Sequence, residues 1–251
     1  MTAPVVLALH GFGGSGASWD AVAQAAGDRV RVVAPDLRGH GAAADRRPVD
    51  LTSVLGDLAT ELEAAAASSP SGRATVAGYS LGGRVGLHLA LAHPDLVERV
   101  VLVSSTSGME DEEERAARRA SDEAQAQRLE RDGLEAFADR WAALPLWDGD
   151  PPAARAAQRA ALAAGDADGL AAALRGLGAG AVPAVGPRLG ALAAPLTVVV
   201  GARDDRYRAI GARLLRLAAQ PAGEVVVPDA GHGLLREAPA AVAAALTSSC
   251  G

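Results

Sequence analysis

Six short runs of continuous apolar, mostly β-branched character, at residues 5–9, 30–34, 74–77, 100–103, 196–200 and 224–227, are each bounded by Gly, Pro or Asp. Between them lie Ala- and Leu-rich stretches with helical spacing, at 17–26, 51–67, 81–92, 209–219 and 238–246. A strand that is apolar at every position has no face for water. Such strands alternating with helices predict an α/β chain: a mostly parallel sheet of about six or seven strands, covered by helices on both sides. With 251 residues, one domain with a sizeable core is the expectation.

The alternation stops once, over residues 109–192, where helical patterns continue without a convincing strand. This stretch reads as a helical lid inserted into a core formed by residues 1–108 and 193–251. Its first helix opens on the acidic run Glu110-Asp111-Glu112-Glu113-Glu114 and passes into Arg115, Arg118 and Arg119, the polarity that a helix dipole favours. Asp111 with Arg115 and Glu114 with Arg118 stand at i,i+4 spacing, which predicts weak surface ion pairs.

Charge narrows the partners. All 24 basic residues are arginine, they face 30 acidic residues, and the formal net charge is −6. No basic run exceeds two residues, so nucleic acid is not an expected partner. The single cysteine, Cys250, allows no internal disulfide and fits a reducing compartment. No basic residue precedes Arg29, and the first apolar run is cut by His10-Gly11, so neither a signal peptide nor a membrane span is predicted. The expectation is a soluble, cytoplasmic protein, a monomer or weak homo-oligomer. No metal or organic cofactor is implied, because the sequence has no ligand cluster or nucleotide motif.

Chemistry enters at Gly78-Tyr79-Ser80-Leu81-Gly82-Gly83, between an apolar strand and the helix that starts at Leu81. That context is a nucleophile elbow. Ser80 sits on a strained turn, and the glycines on either side remove side chains that would collide. A serine hydroxyl needs an imidazole to take its proton. Of the five histidines, His10, His40, His88 and His93 lie in turns or on the helix behind Ser80 and read as structural.

His232 differs, because Asp229-Ala230-Gly231-His232-Gly233 follows the last predicted strand, at the sheet edge where ligands bind. Asp204, after the preceding strand, is the preferred carboxylate to orient it, with Asp205 and Asp229 as alternatives. The order Ser80, Asp204, His232 is that of α/β-hydrolases. The Gly-rich turn His10-Gly11-Phe12-Gly13-Gly14 follows the first strand, which makes the backbone N–H groups of Phe12 and Leu81 the expected oxyanion donors.

Together with Asp36-Leu37-Arg38-Gly39-His40-Gly41, these elements resemble the α/β-hydrolase superfamily. A narrower resemblance extends over nearly the whole chain. Gly78 to Arg84, Glu114 to Asp122, Gly133-Leu134-Glu135-Ala136-Phe137, Leu144-Pro145-Leu146 and Leu174-Arg175-Gly176-Leu177-Gly178 are similar to the menaquinone-pathway 2-succinyl-6-hydroxy-2,4-cyclohexadiene-1-carboxylate synthases, the MenH family. That resemblance implies elimination of pyruvate from an enolpyruvyl cyclohexene substrate, with Ser80 as base activated by His232 and Asp204. It implies a small polycarboxylate substrate held by Arg84, Arg118 and Arg159, with Tyr79 and Trp141 in the pocket wall. Arginine suits carboxylates through bidentate pairing. The competing readings are a serine esterase or lactonase working through an acyl-enzyme, and a binding protein that keeps the fold without turnover.

Overall fold

The computed structural model describes residues 3–248; Cys250 lies outside them. Every predicted apolar run is a strand: β1 (Val5–Leu9), β2 (Arg31–Val33), β3 (Ala74–Tyr79), β4 (Val97–Val103), β5 (Leu196–Gly201) and β6 (Ala222–Val227). They form one six-stranded sheet in the order β2-β1-β3-β4-β5-β6. Each pairing is parallel, with Leu9 opposite Gly78, Tyr79 opposite Val103 and Gly201 opposite Val227.

Alternate residues of each strand serve opposite faces. Val5, Leu7 and Leu9 join one buried cluster with Val54, Leu58 and Leu62 of α2 (Leu51–Ala67), Val85 and Leu89 of α3 (Leu81–Ala92), and Leu214 of α7 (Asp205–Leu217). Val6 and Ala8 join the other cluster. There they meet Val22 of α1 (Asp20–Ala26), Leu234 of α8 (Leu234–Glu237), and Val242 and Leu246 of α9 (Pro239–Thr247). Each buried Val or Leu stabilises by about 1.5–3 kcal/mol, which is why β1, β3 and β5, buried almost throughout, carry no charged residue; the edge strands β2 and β6 are instead largely exposed or half-buried, against the expectation of cover on both faces.

Strand order reverses between β1 and β3, and at such a switch the loops on either side part to leave a crevice at the C-terminal edge. The turn after β1, Ser80 after β3, Asp204 after β5 and His232 after β6 all leave the sheet at that edge.

Between β4 and β5 stand α4 (Glu112–Ala142), α5 (Pro152–Ala163) and α6 (Ala167–Leu177), with short 3-10 turns at Pro145–Trp147 and Gly186–Ala191. Among the described residues this segment holds no strand. Leu129, Phe137, Leu162, Leu170 and Leu174 form its own buried cluster. Helix α4 is broken at Gly133, whose φ of 80° and ψ of 172° suit glycine alone.

The start of α4 corrects the sequence expectation. Asp111 is the N-cap, its carboxylate accepting the Glu114 N–H at 2.8 Å, so it does not pair with Arg115. Arg115 pairs with Glu112 instead, and Arg118 pairs with Asp122 rather than Glu114. In both cases the rival acid lies one helical turn away, and what surrounds the helix decides between them.

Candidate active site

Strand β3 delivers Ser80 with φ 51° and ψ −111°, a strained conformation for a residue with a side chain. Its surroundings hold it there. The Ser80 N–H donates to the Val103 carbonyl at 3.0 Å, and the Ser105 hydroxyl donates to the Ser80 carbonyl at 2.6 Å. A Cβ on Gly78 would stand 2.5 Å from the Gly83 backbone, and one on Gly82 would stand 2.3 Å from the Leu9 carbonyl. The glycines flanking Ser80 are therefore required by close backbone approach, as the elbow motif predicts.

His232 is 1% exposed, and its Nδ1 lies 3.0 Å from Asp204 Oδ2. Asp204 is also the N-cap of α7, its Oδ1 accepting the Tyr207 N–H at 3.1 Å. With Nδ1–H donated to a carboxylate, the Nε2 of a neutral ring carries the lone pair. That nitrogen is buried without a partner among the described residues, and the Ser80 hydroxyl makes no hydrogen bond to it. The imidazole stands 5.5 Å from the ring of Tyr79, the residue before Ser80. Asp205 and Asp229, the alternative carboxylates, are exposed and pair with Arg208 and Arg203.

The other histidines are accounted for. Buried His10 donates from Nδ1 to the Gly11 carbonyl at 2.8 Å and accepts the Leu37 N–H at Nε2, while burial holds its pKa below the usual value. His40 is pushed down to about 3, mainly by burial. His88 bonds the Pro183 carbonyl. His93 caps the C-terminus of α3.

Phe12 packs its ring 4.8 Å from Trp141 and 6.3 Å from Phe137, joining the turn after β1 to the helical segment. The backbone N–H groups of Phe12 and Leu81 donate to no backbone carbonyl among the described residues. Tyr79 is buried, and its hydroxyl has no partner among the described residues.

A cavity of about 500 Å³ opens beside this site, lined by Arg84, Arg118, Arg206, Tyr207, Gln125 and Met109, among others. Tyr207 also stands 4.5 Å from the His232 ring. A smaller cavity, about 310 Å³, is lined by Asp204 and His232 and shares Pro145, Leu146 and Arg206 with the larger one.

Arg84 is 8% exposed and makes no ion pair among the described residues; burial lowers its pKa from the usual guanidinium value. Arg118 donates to Asp122 at 2.8 Å. Asp122 is itself 2% exposed, and burial raises its pKa. Arg84 and Arg118 thus share one chamber with Arg206, Arg213, Glu110 and Glu114, with Arg213 paired to Glu110 and Asp122 held behind Arg118. A buried charge without a partner is costly, so an unpaired guanidinium in a cavity marks a place for an anion.

The structure does not bring Arg159 to this chamber. It reaches Glu135 and Asp139 on α4, at 2.6 Å each, on the exposed side of the helical segment. Trp141 belongs to the apolar cluster of that segment and meets the site through Phe12.

Residues 5–245 match the alpha/beta hydrolase family. The chain belongs to the α/β-hydrolase family. This α/β hydrolase is 32% identical over 243 residues to the 2-succinyl-6-hydroxy-2,4-cyclohexadiene-1-carboxylate synthase of Enterobacter sp. (strain 638), covering 97% of this chain and 90% of that protein. It is 28% identical to Protein PHYLLO, chloroplastic, of Arabidopsis thaliana, of which it spans only 15% while 96% of this chain is covered. The structure of MenH from S. aureus superimposes with a TM-score of 0.86 at 25% identity, covering 94% of this chain and 90% of that one. This α/β hydrolase is thus an enzyme similar to those synthases. Among its described residues no helix is long and apolar enough to cross a membrane.

Several residues at the site carry no motif. Asp122 only ends the stretch Glu114 to Asp122 that carries the family resemblance, with no role attached to it, and Tyr207 lies in no motif. Asp150 and Glu237 gave no signal at all, yet they meet beside His232. Burial, followed by the neighbouring Asp150 carboxylate, pushes the Glu237 pKa from 4.5 up to about 7. The folded chain therefore binds a proton here that the unfolded chain has released over that range. The stability this group contributes is complete below about pH 4.5 and is lost as pH rises through 7. Glu237→Gln is expected to flatten that part of a urea-unfolding profile against pH. An unchanged slope would place the proton elsewhere.

Proposed function

We propose that this enzyme eliminates pyruvate from 2-succinyl-5-enolpyruvyl-6-hydroxy-3-cyclohexene-1-carboxylate to give 2-succinyl-6-hydroxy-2,4-cyclohexadiene-1-carboxylate, a step of menaquinone biosynthesis. The observation that carries the reading is the pair Arg84 and Arg118 in one chamber that Tyr207 joins to His232. A substrate with several carboxylates needs fixed cations, and in a chain of net charge −6 they are concentrated here. A neutral ester offers a buried guanidinium no charge to pair with.

In this reading Ser80 Oγ takes a ring proton as its own proton passes to Nε2 of His232, whose charge Asp204 offsets. The electron pair of the broken C–H bond moves through the ring double bond and breaks the C–O bond. The leaving enolpyruvate collects the proton from the imidazolium and tautomerises to pyruvate. No acyl-enzyme forms. The N–H groups of Phe12 and Leu81 stabilise the charge that develops, worth about 10²–10³ in rate. The helical segment 109–192 serves as the lid that closes the chamber, with Phe137 and Trp141 behind Phe12.

The test is pyruvate release from the enolpyruvyl substrate, followed by coupling to lactate dehydrogenase and NADH oxidation. Steady turnover is expected, with feeble hydrolysis of neutral p-nitrophenyl esters. Rapid ester hydrolysis with an acyl group trapped on Ser80, and no pyruvate, would replace this reading with an esterase.

A further inference from the structure

The loop that carries His232 is held from two sides. From the helical segment, Asp150 Oδ1 accepts the His232 N–H at 2.7 Å and the Gly233 N–H at 3.3 Å. From the core, Glu237 Oε2 accepts the Gly231 N–H at 2.9 Å. Three successive amides of one short loop therefore end on two carboxyl groups. Unpaired, amides buried this deeply would destabilise the fold.

Asp150 is 6% exposed and makes no ion pair among the described residues. Its hydrogen-bond acceptance from the loop is what keeps a carboxylate tolerable there. The contact spans 82 residues of sequence. It also has company, because Trp147, from the same turn of the helical segment, stands edge-on to the His232 imidazole at 5.3 Å. Among the described residues nothing else ties the helical segment to the imidazole-bearing peptide by hydrogen bonds.

We propose that Asp150 is a positioning residue for the reaction: by holding the His232 peptide from the helical segment, it makes the seating of that segment and the aim of Nε2 a single event. It rests on the proposed role of His232 as proton relay. The side chain of His232 has one fixed hydrogen bond, to Asp204, and a ring pinned only at Nδ1 turns about that contact. The backbone bond to Asp150 supplies the second fixed point. Displacing a reacting group by 1 Å costs about 10²-fold in rate, so a carboxylate that never touches substrate governs kcat.

The experiment compares wild type, Asp150→Ala and Asp150→Asn by pyruvate release and by hydrogen exchange of the peptide spanning residues 229–234. Asparagine keeps an Oδ1 acceptor for both amides and offers its NH₂ to Glu237. Asp150→Ala is expected to lose about 10²-fold in kcat. Its KM should stay within about threefold, because the arginine chamber is untouched. Exchange at 231–233 should quicken roughly tenfold while β1 and β3 are unaffected. Asp150→Asn is expected to restore kcat to within about fivefold of wild type. A role in stability alone would lower the folded fraction without moving kcat per folded molecule.

The proposal is overturned if Asp150→Ala keeps kcat within about twofold, if the asparagine variant falls as far as alanine, or if exchange of the loop is unchanged. Should alanine fail to fold, Asp150→Ser, too short to reach both amides, is read in the same way. If wild type releases no pyruvate, the functional reading fails by itself. Labelling of Ser80 by a fluorophosphonate, which also needs the imidazole, then decides: slower labelling in Asp150→Ala supports the positioning role, and equal labelling overturns it.

Discussion

Replacing His232 by alanine is expected to lower kcat for pyruvate release by about 10⁴-fold while KM moves little. The imidazole touches Asp204, Tyr207, Tyr79 and Trp147, none of which is a cation for the substrate. On the proposed mechanism its loss removes the proton acceptor and leaves the arginine chamber intact. Asp204→Asn should approach the same loss, because an amide NH₂ facing Nδ1 favours the tautomer with its proton on Nε2, where Ser80 needs a lone pair. Single-turnover kinetics at saturating substrate check both. A His232→Ala enzyme with kcat within about tenfold of wild type would mean that the proton leaves by another route.

The second result separates stability from activity. Arg84→Met is expected to raise the stability of the fold by about 1 kcal/mol and to lower kcat/KM by about 10²–10³-fold. The guanidinium is buried among α3, the helical segment and Tyr207 without a carboxylate of its own, since Asp122 is engaged by Arg118. Methionine fills similar space at no desolvation cost. Arg159→Ala serves as the control. Its pairs with Glu135 and Asp139 are on the surface, where such bridges contribute about 0–1 kcal/mol, so neither quantity should move much. Urea unfolding and pyruvate release measure the two sides, and a destabilised Arg84→Met would make Arg84 a structural residue.

The central strands were legible because burial on both faces leaves a run of apolar residues, and the edge strands β2 and β6, though largely exposed or half-buried, were legible from their consecutive valines. The elbow was legible because its glycines are demanded by close backbone approach, Gly78 to Gly83 within the turn and Gly82 to Leu9 of the neighbouring strand. Asp204 and His232 were legible because each follows a strand at the same edge of the sheet. The arginines were harder to read. Arg118 has acids one turn away on both sides, and only the surrounding helices select Asp122. The partners of Arg159, Glu135 and Asp139, lie 24 and 20 residues back along the chain and face solvent with it, which no local pattern records. Asp150 was invisible for a further reason. It bonds backbone amides, and an amide has no residue type to recognise.

The break at Gly133 divides α4 into an arm that carries Arg118 and Asp122 and an arm that carries Phe137 and Trp141. No atom would touch a side chain placed at the joint, so the restriction there comes from the dihedral angles and not from crowding. The two arms nevertheless share one apolar cluster, through Ala126 and Leu129 on the first and Phe137 and Trp141 on the second, so the cationic wall and the aromatic wall are fixed relative to each other by one dihedral corner and one patch of common packing.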